Sequence, residues 1–299
     1  MTESTASAAS PALPKTIAFI GGGNMAQALL GGLLANGADP TALRVSDPSP
    51  ACREALAALG PLALFDDNAA AADGAEAVVL AVKPQVLGPI LTALAPILAA
   101  QPALPFVLSI AAGIDCASLL HWSGGVPVVR AMPNTPALLR SGATALFATP
   151  GISAAQRAQA EALMAMAGTT YWLEEEGDLA AVTAASGSGP AYFFRLMECM
   201  IDAAVAQGLT PALARALVTE TALGAARMAT APGADPAALR TAVTSPGGTT
   251  AAALEAFEAA GFAPMVETAM AAAAHRANTL AEELGVPSAQ RAHPQGDEA

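Results

Sequence analysis

The chain is poor in charged and aromatic residues and carries only a small basic fraction. Of its 299 residues, 13% are charged and 4% aromatic, and 13 basic against 25 acidic residues give a net charge of −12. Such a surface is a poor substitute for the counterions of a phosphate backbone, so we expect no nucleic acid partner. The apolar share of 54% is mostly Ala, Leu and Val, which favours a soluble, helix-rich protein.

Apolar runs long enough to cross a membrane are also missing. The most apolar stretch, residues 90–114, is interrupted by three prolines and predicts no transmembrane helix. Residues 1–14 contain no Lys, no Arg and no apolar run, which predicts a disordered tail rather than a secretory signal. Residues 287–299 predict a second, polar tail. We therefore expect a cytoplasmic protein with no membrane partner.

Cysteine and histidine occur three times each, and neither has the spacing of a metal site. The cysteines are odd in number and far apart, which predicts reduced thiols, and none neighbours a histidine that could activate it. They are Cys52, Cys116 and Cys199. The histidines, two in predicted helices and one in the tail, are interpreted as structural. They are His121, His275 and His293.

Short apolar segments alternate with helical ones in the first half of the chain. Helical patterns begin at about Asn24 and recur at 49–60 and near 87–99. This alternation predicts βαβ units and a doubly wound, mainly parallel sheet over residues 15–173. The predicted strands are 16–20, 44–47, 75–82, 105–110 and 126–132.

The second half has a different character, because β-branched clusters give way to long Ala- and Leu-rich segments. Each of these starts near a proline and ends near a glycine, as helices do. Apolar residues lie on more than one face of them, which indicates burial against a partner chain. We expect an all-helical domain over 174–286 and an oligomeric protein. The clearest helices are 190–208, 211–229 and 264–285.

A glycine-rich turn stands between the first strand and the first helix. Gly21 permits the tight turn, Gly23 lets the backbone approach a pyrophosphate, and Ala26 allows close packing of helix on sheet. The free N–H groups at the helix start would face the phosphates. With the following βα units in place, the pattern predicts a dinucleotide site.

Which dinucleotide binds is left open by the residues after the second strand. Asp47 stands where an acidic residue would accept from the ribose hydroxyls of NAD and repel a 2′-phosphate. Ser46 and Ser49 can donate to a phosphate, and Arg44 or Arg53 is close in sequence. Both cofactors are compatible with this segment.

Two further loops are placed at the same rim. Lys83, one of two lysines, follows the buried strand 75–82 and precedes Pro84, so it projects from the carboxyl end of the sheet, where ligands bind in such folds. Residues 130–136, RAMPNTP, form a rigid polar loop after another strand.

The segment 243–250, VTSPGGTT, leads into a helix through a tight Pro-Gly-Gly turn. Thr249 or Thr250 is expected to cap that helix. Successive N–H groups at such a helix start suit a carboxylate, which favours an anion site.

Five segments together resemble the pyrroline-5-carboxylate reductase family, from about residue 16 to 284. They are IAFIGGGNMAQALLGGLL, AVKPQ, RAMPNTP, SGSGPAYFF and LRTAVTSPGGTTAAALEAF. The resemblance implies an N-terminal Rossmann domain and a helical dimerisation domain. It also implies assembly as a homodimer or a ring, and NADPH as cofactor with NADH possible.

The resemblance also implies the roles of individual residues. The substrate, 1-pyrroline-5-carboxylate, would receive hydride at its C=N bond and give L-proline, with Thr250 and Lys83 as candidate catalytic residues. The implied cofactor contacts are Gly21, Gly23, Asn24, Met25, Ala26, Ser46, Asp47, Asn68, Ala81, Val82, Lys83 and Pro84. The implied substrate contacts are Ser245, Gly247, Gly248, Thr249 and Thr250.

Two other classes of protein also have a glycine turn that binds a dinucleotide. A β-hydroxyacid dehydrogenase would need a lysine of the helical domain as acid–base group, and no lysine follows Lys83. A cofactor-binding sensor would not need the SPGGTT turn. Among imine reductases, a six-membered ring remains a possible substrate, because one methylene changes binding by only about 1–3 kcal/mol.

Overall fold

The computed structural model describes residues 13–287 of the chain. The predicted tails, 1–14 and 287–299, lie almost entirely outside this range. The described residues form two compact units. The first comprises the residues up to Gly187 and those from Ala273 onward, and the second is Ser188–Ala272.

One eight-stranded sheet organises the first unit, with strand order β3-β2-β1-β4-β5-β6-β7-β8. All neighbouring strands are parallel except β6 and β7. This confirms the predicted doubly wound, mainly parallel sheet. The strands are β1 (Ile17–Ile20), β2 (Leu43–Ser46), β3 (Ala63–Phe65), β4 (Ala77–Leu80), β5 (Phe106–Ser109), β6 (Val128–Met132), β7 (Gly142–Ala148) and β8 (Gly168–Trp172).

Seven complete α-helices and three short turns accompany the strands of the first unit within the described residues, and the last helix and the last turn follow β8. The helices are α1 (Asn24–Ala35), α2 (Pro50–Ala57), α3 (Asn68–Ala72), α4 (Pro84–Ala99), α5 (Cys116–Ser123), α6 (Ala154–Ala165) and α7 (Asp178–Val182). The turns are 3₁₀ at Pro40–Ala42 and Thr135–Leu139, and a π-helical turn at Thr183–Gly187.

The sheet carries a core on each face. Phe19 packs with α1 and α6 on one face, whereas the adjacent Ile20 packs with α4 and α5 on the other, because successive side chains of a strand point to opposite faces. Both residues are fully buried. The first unit therefore contains its own hydrophobic core.

The second unit is helical, as predicted. It holds α8 (Gly189–Ala206), α9 (Pro211–Ala229), α10 (Pro236–Ala242), α11 (Thr249–Ala259) and the first part of α12 (Phe262–Leu284). Only Gly189, Ala214 and Val218 are buried among residues 188–272. Large apolar side chains are exposed instead, including Phe193 at 64%. Such a surface fits the expected burial against another copy of the chain.

All five predicted strands are confirmed within a few residues, but the sequence prediction omitted β3, β7 and β8. The predicted helix 211–229 agrees with α9, and His121 and His275 lie in helices as expected. The predicted domain boundary at 173/174 stays a prediction. The two compact units of the structure meet later in the chain, after Gly187. Within residues 13–287, no helix combines the length and apolarity needed to cross a bilayer.

Candidate functional site

Three loops leave the carboxyl edge of the sheet side by side. The strand register pairs Ile20 with Ser46 of β2 and with Leu80 of β4. The next residues along the chain, Gly21, Asp47 and Ala81, therefore emerge together. The structure thus brings three of the predicted cofactor segments to one place.

Gly21 occupies a conformation that other residues rarely adopt. Its φ is +97°, and its N–H donates to the Ser46 carbonyl at 2.8 Å. A side chain here would place its Cβ 2.8 Å from the carbonyl oxygen of Ala81. The turn therefore requires glycine for both its backbone angle and its close approach to β4.

The start of α1 is open. Gly23 is the N-cap and supplies no side-chain cap, and no acidic residue lies in the first turn. A Cβ at Gly23 would meet no atom within 4 Å, so the turn leaves room for a phosphate. Backbone N–H groups of Asn24, Met25 and Ala26 begin the helix, which makes this a favourable anion position. These residues fit the pyrophosphate of a dinucleotide.

Asp47 supports the glycine turn with its carboxylate. Its Oδ2 accepts the Gly22 N–H at 2.9 Å, and its Oδ1 accepts the Ser49 N–H at 2.9 Å. Gly22 stands at the variable position of the motif, for which residue type and spacing predict no role. The amide of Gln27 also donates to the Gly22 carbonyl at 2.8 Å. Hydrogen bonds from α1 and from the residue after β2 therefore both fix the glycine turn at Gly22.

The two arginines proposed near a ribose phosphate differ in position. Arg44 donates to the carbonyl of Asp73, which precedes β4 at the amino edge of the sheet. Arg44 therefore lies away from the carboxyl edge that carries Asp47, because it sits early in β2. Arg53 Nη1 donates to the Asp47 carbonyl at 2.6 Å, so it stays beside the end of β2. Ser49 caps α2.

Two other predicted cofactor residues are joined directly. The Ser46 hydroxyl donates to Oδ1 of Asn68 at 2.7 Å, which ties the end of β2 to the start of α3. Asn68 also lines a cleft of about 280 Å³ between α3 and α4. The cleft is bounded by Asp67, Asn68, Ala69, Pro89, Ile90, Ala93 and Leu94.

Lys83 stands at the N-cap of α4, directly after Ala81 and Val82, with Pro84 as the first helical residue. Its side chain is exposed and takes no part in capping. Among the described residues, Lys83 forms no ion pair, so its ammonium at the carboxyl edge is available to an anionic ligand. The sequence expectation for its location agrees with this placement.

The turn before α11 lies in the second unit. Gly247 has φ +67°, and the Gly248 N–H donates to the Ser245 carbonyl at 3.0 Å. Gly248, not a threonine, is the N-cap, because its extended backbone lets its carbonyl accept the first helical bond, from Ala252. The expectation that Thr249 or Thr250 caps the helix is therefore wrong. Both are helical residues.

The consequence is an uncapped helix start. No side chain bonds to the first N–H groups of α11, and its first turn holds no acidic residue. Thr250 is half-buried. The backbone N–H groups that open α11 therefore have no side-chain partner, whereas the Gly248 N–H is used within the turn.

Two of the three cysteines, Cys52 and Cys116, have a raised pKa. Burial, with a contribution from the Asp47 carboxylate, raises the pKa of Cys52, whose thiol donates to the Gly22 carbonyl. Burial and the nearby Glu176 carboxylate raise the pKa of Cys116 well above its ordinary value. Both thiols stay protonated near neutral pH. Across residues 13–287, no three His, Cys, Asp or Glu side chains gather as metal ligands would.

Comparison with known families gives two matches. Residues 176–280 match a family described as pyrroline-5-carboxylate reductase dimerisation. Residues 16–113 match a family described as NADP oxidoreductase, coenzyme F420-dependent. The first match covers the helical region, and the second covers the region with the glycine turn.

Individual proteins are similar over nearly their whole length. A pyrroline-5-carboxylate reductase of Pseudomonas aeruginosa is 50% identical over 270 residues, which cover 90% of this chain and 98% of that one. The structure of a Coxiella burnetii pyrroline-5-carboxylate reductase superimposes with a TM-score of 0.84 at 39% identity, covering 89% of this chain and 98% of that one. A Plasmodium falciparum pyrroline carboxylate reductase solved with NADP bound gives 0.77 at 27% identity, with 89% and 98% covered.

Proposed function

This chain belongs to the pyrroline-5-carboxylate reductase family, and from that premise we propose that it reduces 1-pyrroline-5-carboxylate to L-proline, the last step of proline biosynthesis. NADPH, when bound, supplies the hydride that the C=N carbon accepts. The residues of the chain have three tasks: to hold the cofactor, to hold the substrate carboxylate and to exclude water.

The observation that carries the proposal is the start of α11. A rigid Pro246-Gly247-Gly248 turn leads into a helix whose first N–H groups have no side-chain cap. Such groups, with the helix dipole behind them, stabilise a carboxylate by roughly 0.3–1 kcal/mol, and by about 2 kcal/mol when partly buried. We assign the carboxylate of the imine to this turn, with Ser245 and Thr249 beside it.

Thr250 is assigned to the ring nitrogen. A protonated imine is already electrophilic, so the reaction needs orientation more than acid–base catalysis. A hydroxyl at the second position of α11 can hold the nitrogen or an ordered water next to it.

For the cofactor we propose NADPH as the working donor, with NADH also accepted. Ser49, the N-terminus of α2 and Arg53 lie together beside Asp47 and can hold a 2′-phosphate. The Asp47 carboxylate already accepts two backbone N–H bonds, which offsets part of its repulsion of that phosphate. The same carboxylate retains lone pairs for the ribose hydroxyls of NADH.

Lys83 is assigned to the cofactor and to catalysis together. As an exposed cation at the carboxyl edge, beside Ala81 and Val82, it can pair with an anionic part of the ligand. Gly21 to Ala26 and Asn68 complete the assigned cofactor contacts. No residue of the first unit other than Lys83 is assigned a catalytic role.

The assembly follows from the second unit. Its exposed apolar faces, together with the match to a dimerisation family, support a homodimer, and we propose further assembly into a ring. Three free cysteines, all of them among the described residues, support a reducing, cytoplasmic location. The acidic net charge of −12 supports a small-molecule substrate rather than a nucleic acid.

The test is proline formation by the purified chain from 1-pyrroline-5-carboxylate with NADPH and with NADH. The Thr250→Val variant should lower kcat by about tenfold while NADPH affinity stays within twofold, since one transition-state hydrogen bond is worth about 1.4 kcal/mol. Thr230→Val, which removes a hydroxyl bonded only to its own helix, is the matched control.

Either of two results would overturn the proposal. NADPH binding with no proline formed would show that the chain acts on another imine or only binds cofactor. Unchanged turnover in Thr250→Val would remove Thr250 from the substrate site.

A further inference from the structure

Two sequence segments have no role in the assignments above. They are residues 130–136, at the end of β6, and residues 186–190, SGSGP, where the second unit begins. In the first segment Asn134 is extended, with φ −130° and ψ 167°. Alternate residues of an extended chain lie on one face, so Arg130, Met132 and Asn134 share a face.

All three of these side chains contact the segment 176–187. Arg130 forms an ion pair with Glu176. The Met132 methyl lies where a side chain of Gly187 would be, only 2.5 Å from the ideal Cβ position. The Asn134 amide Nδ2 donates to the Ser186 carbonyl at 3.1 Å. We call these three residues and their contacts the β6 clamp.

Asn134 differs from the other two because both ends of its amide are used. Its Oδ1 accepts the N–H of Ala143 in β7 at 2.9 Å while its Nδ2 holds Ser186. One side chain thus ties β7 and the loop after β6 to the chain that precedes α8. Every part of this arrangement lies in the first unit.

The segment that the clamp holds has an unusual backbone. Residues Thr183–Gly187 form a π-helical turn, a conformation that is rare and frequently occurs at functional sites. The hydroxyls of Thr183 and Ser186 bond back to carbonyls of α7, at 2.7 and 3.2 Å. Ser188, the first residue of the second unit, follows directly. The π-turn is therefore the last element of the first unit before the chain continues into α8.

We propose that Asn134 is a positioning residue for the reduction: its amide fixes the Ser186 carbonyl and, through it, the π-turn that leads into the second unit. The proposal rests on the proposed function, because it concerns the rate of that reaction. Hydride transfer requires the reacting atoms to be about 3–3.5 Å apart, and a misplacement of about 1 Å can cost up to about 100-fold in rate. Asn134 itself is assigned no contact with substrate or cofactor.

The variant Asn134→Asp separates this role from simple loss of a side chain. It keeps an oxygen for the Ala143 N–H but turns the donor toward Ser186 into a second oxygen, which repels the carbonyl. We expect kcat to fall by about tenfold, and KM and Kd for NADPH to change by less than about twofold. This split between kcat and cofactor binding is not expected from a loss of stability alone.

Asn36→Asp is the matched control. Asn36 also donates its Nδ2 to a backbone carbonyl, that of Gly32 at 2.8 Å, but it lies at the far end of α1. The change in chemistry is identical, and the control should keep its kcat within about twofold. Both variants are compared at a temperature where each is fully folded.

Several outcomes would overturn the inference. These are an unchanged kcat in Asn134→Asp, a parallel loss of NADPH binding, or an equal loss of kcat in Asn36→Asp. If Asn134→Asp does not fold, Met132→Ala removes the neighbouring contact to Gly187 without a change in charge. It should lower kcat by about threefold with NADPH binding intact, and an unchanged kcat would contradict the inference. A wild-type chain that binds NADPH but forms no proline would instead refute the proposed function.

Discussion

The two units of this chain bury their apolar residues in different ways. In the first, both faces of the sheet are covered, and Phe19, Leu29, Leu91 and Leu108 are fully buried within one chain. In the second, three residues are buried, and large side chains such as Phe193 and Met265 are exposed at 64% and 60%. Exposed apolar area of this kind is not stable in water alone and needs a partner surface.

The difference assigns one source of stability to the cofactor turn and another to the turn before α11. The cofactor turn rests on a core that a single chain completes. The turn before α11 belongs to a unit whose apolar faces need a second copy. Stability of the second unit is therefore linked to protein concentration, whereas stability of the first is not.

The largest expected effect tests the core of the first unit. Phe19→Ala should lower the free energy of unfolding by about 3–5 kcal/mol, because it leaves a cavity beneath the glycine turn. Chemical denaturation at two protein concentrations measures it, and the loss should be the same at both. Leu104→Ala, at a site 50% exposed, is the control and should cost less than about 0.5 kcal/mol. If the loss of unfolding free energy depended on protein concentration, the first unit would not be stable independently of a partner.

The next effect concerns the faces of α8. Phe193→Glu places a charge on an apolar surface and should raise the dissociation constant of the assembly by about thirtyfold or more, equivalent to about 2 kcal/mol. Sedimentation equilibrium gives that constant directly. Leu104→Glu introduces the same charge in the first unit and should leave it unchanged. Equal association of Phe193→Glu and wild type would show that α8 is not covered by a partner.

Lys83 gives an effect confined to the first unit. Lys83→Met should raise KM for NADPH by about tenfold, because a charge-assisted contact is worth about 1.5 kcal/mol, and should leave the mass of the assembly unchanged. Lys15→Met is the matched control, since Lys15 is the other lysine and its backbone, not its ammonium, bonds Glu76. If KM for NADPH were similar in the two variants, Lys83 would not contact the cofactor.

A smaller effect is expected at Asp47. Asp47→Asn removes a charge beside the assigned 2′-phosphate, so the ratio of kcat/KM for NADPH over NADH should rise by about fivefold, or about 1 kcal/mol. Because the amide has one acceptor oxygen fewer for the ribose hydroxyls, kcat/KM for NADH should fall. An unchanged ratio would place the phosphate elsewhere.

The smallest effect compares two thiols. Cys116 lies in the core of the first unit, and burial raises its pKa, so it should react with a disulfide reagent only after unfolding. Cys199, exposed on α8 in the single chain, should react more slowly as concentration rises and α8 becomes covered. Labelling rates over a dilution series measure both. Fast reaction of Cys116 in the native protein would contradict its assigned burial.

The sequence predicted those elements whose residues carry a strong local pattern. The segments that form β1, β4, β5 and β6 are predominantly apolar runs, rich in β-branched and aromatic residues. β7 is rich in Gly and Ala, which disfavour strands, and β3 has only three residues at a sheet edge. Neither shows a period that could be recognised without the neighbouring strands.

Within the candidate site, too, some features follow from the local sequence and others depend on distant residues. The glycine turn follows from residue types and spacing, because only glycine permits φ of +97° at Gly21. The bonds from Gly22 to Asp47 and from Asn134 to Ser186 depend on strand register and on residues 25 and 52 positions apart. Local patterns do not encode such contacts. Residue type predicts a threonine cap for α11, because threonine is a common N-cap, whereas the extended backbone of Gly248 makes that glycine the cap.

The most direct test measures proline formation from 1-pyrroline-5-carboxylate and NADPH over a dilution series, with the mass of the assembly recorded in parallel. We expect that proline is formed and that activity per chain falls as the assembly dissociates, while NADPH still binds to the dissociated chain. Full activity in the monomer would contradict the dependence of the second unit on a partner. NADPH binding without proline formation at any concentration would contradict the function itself.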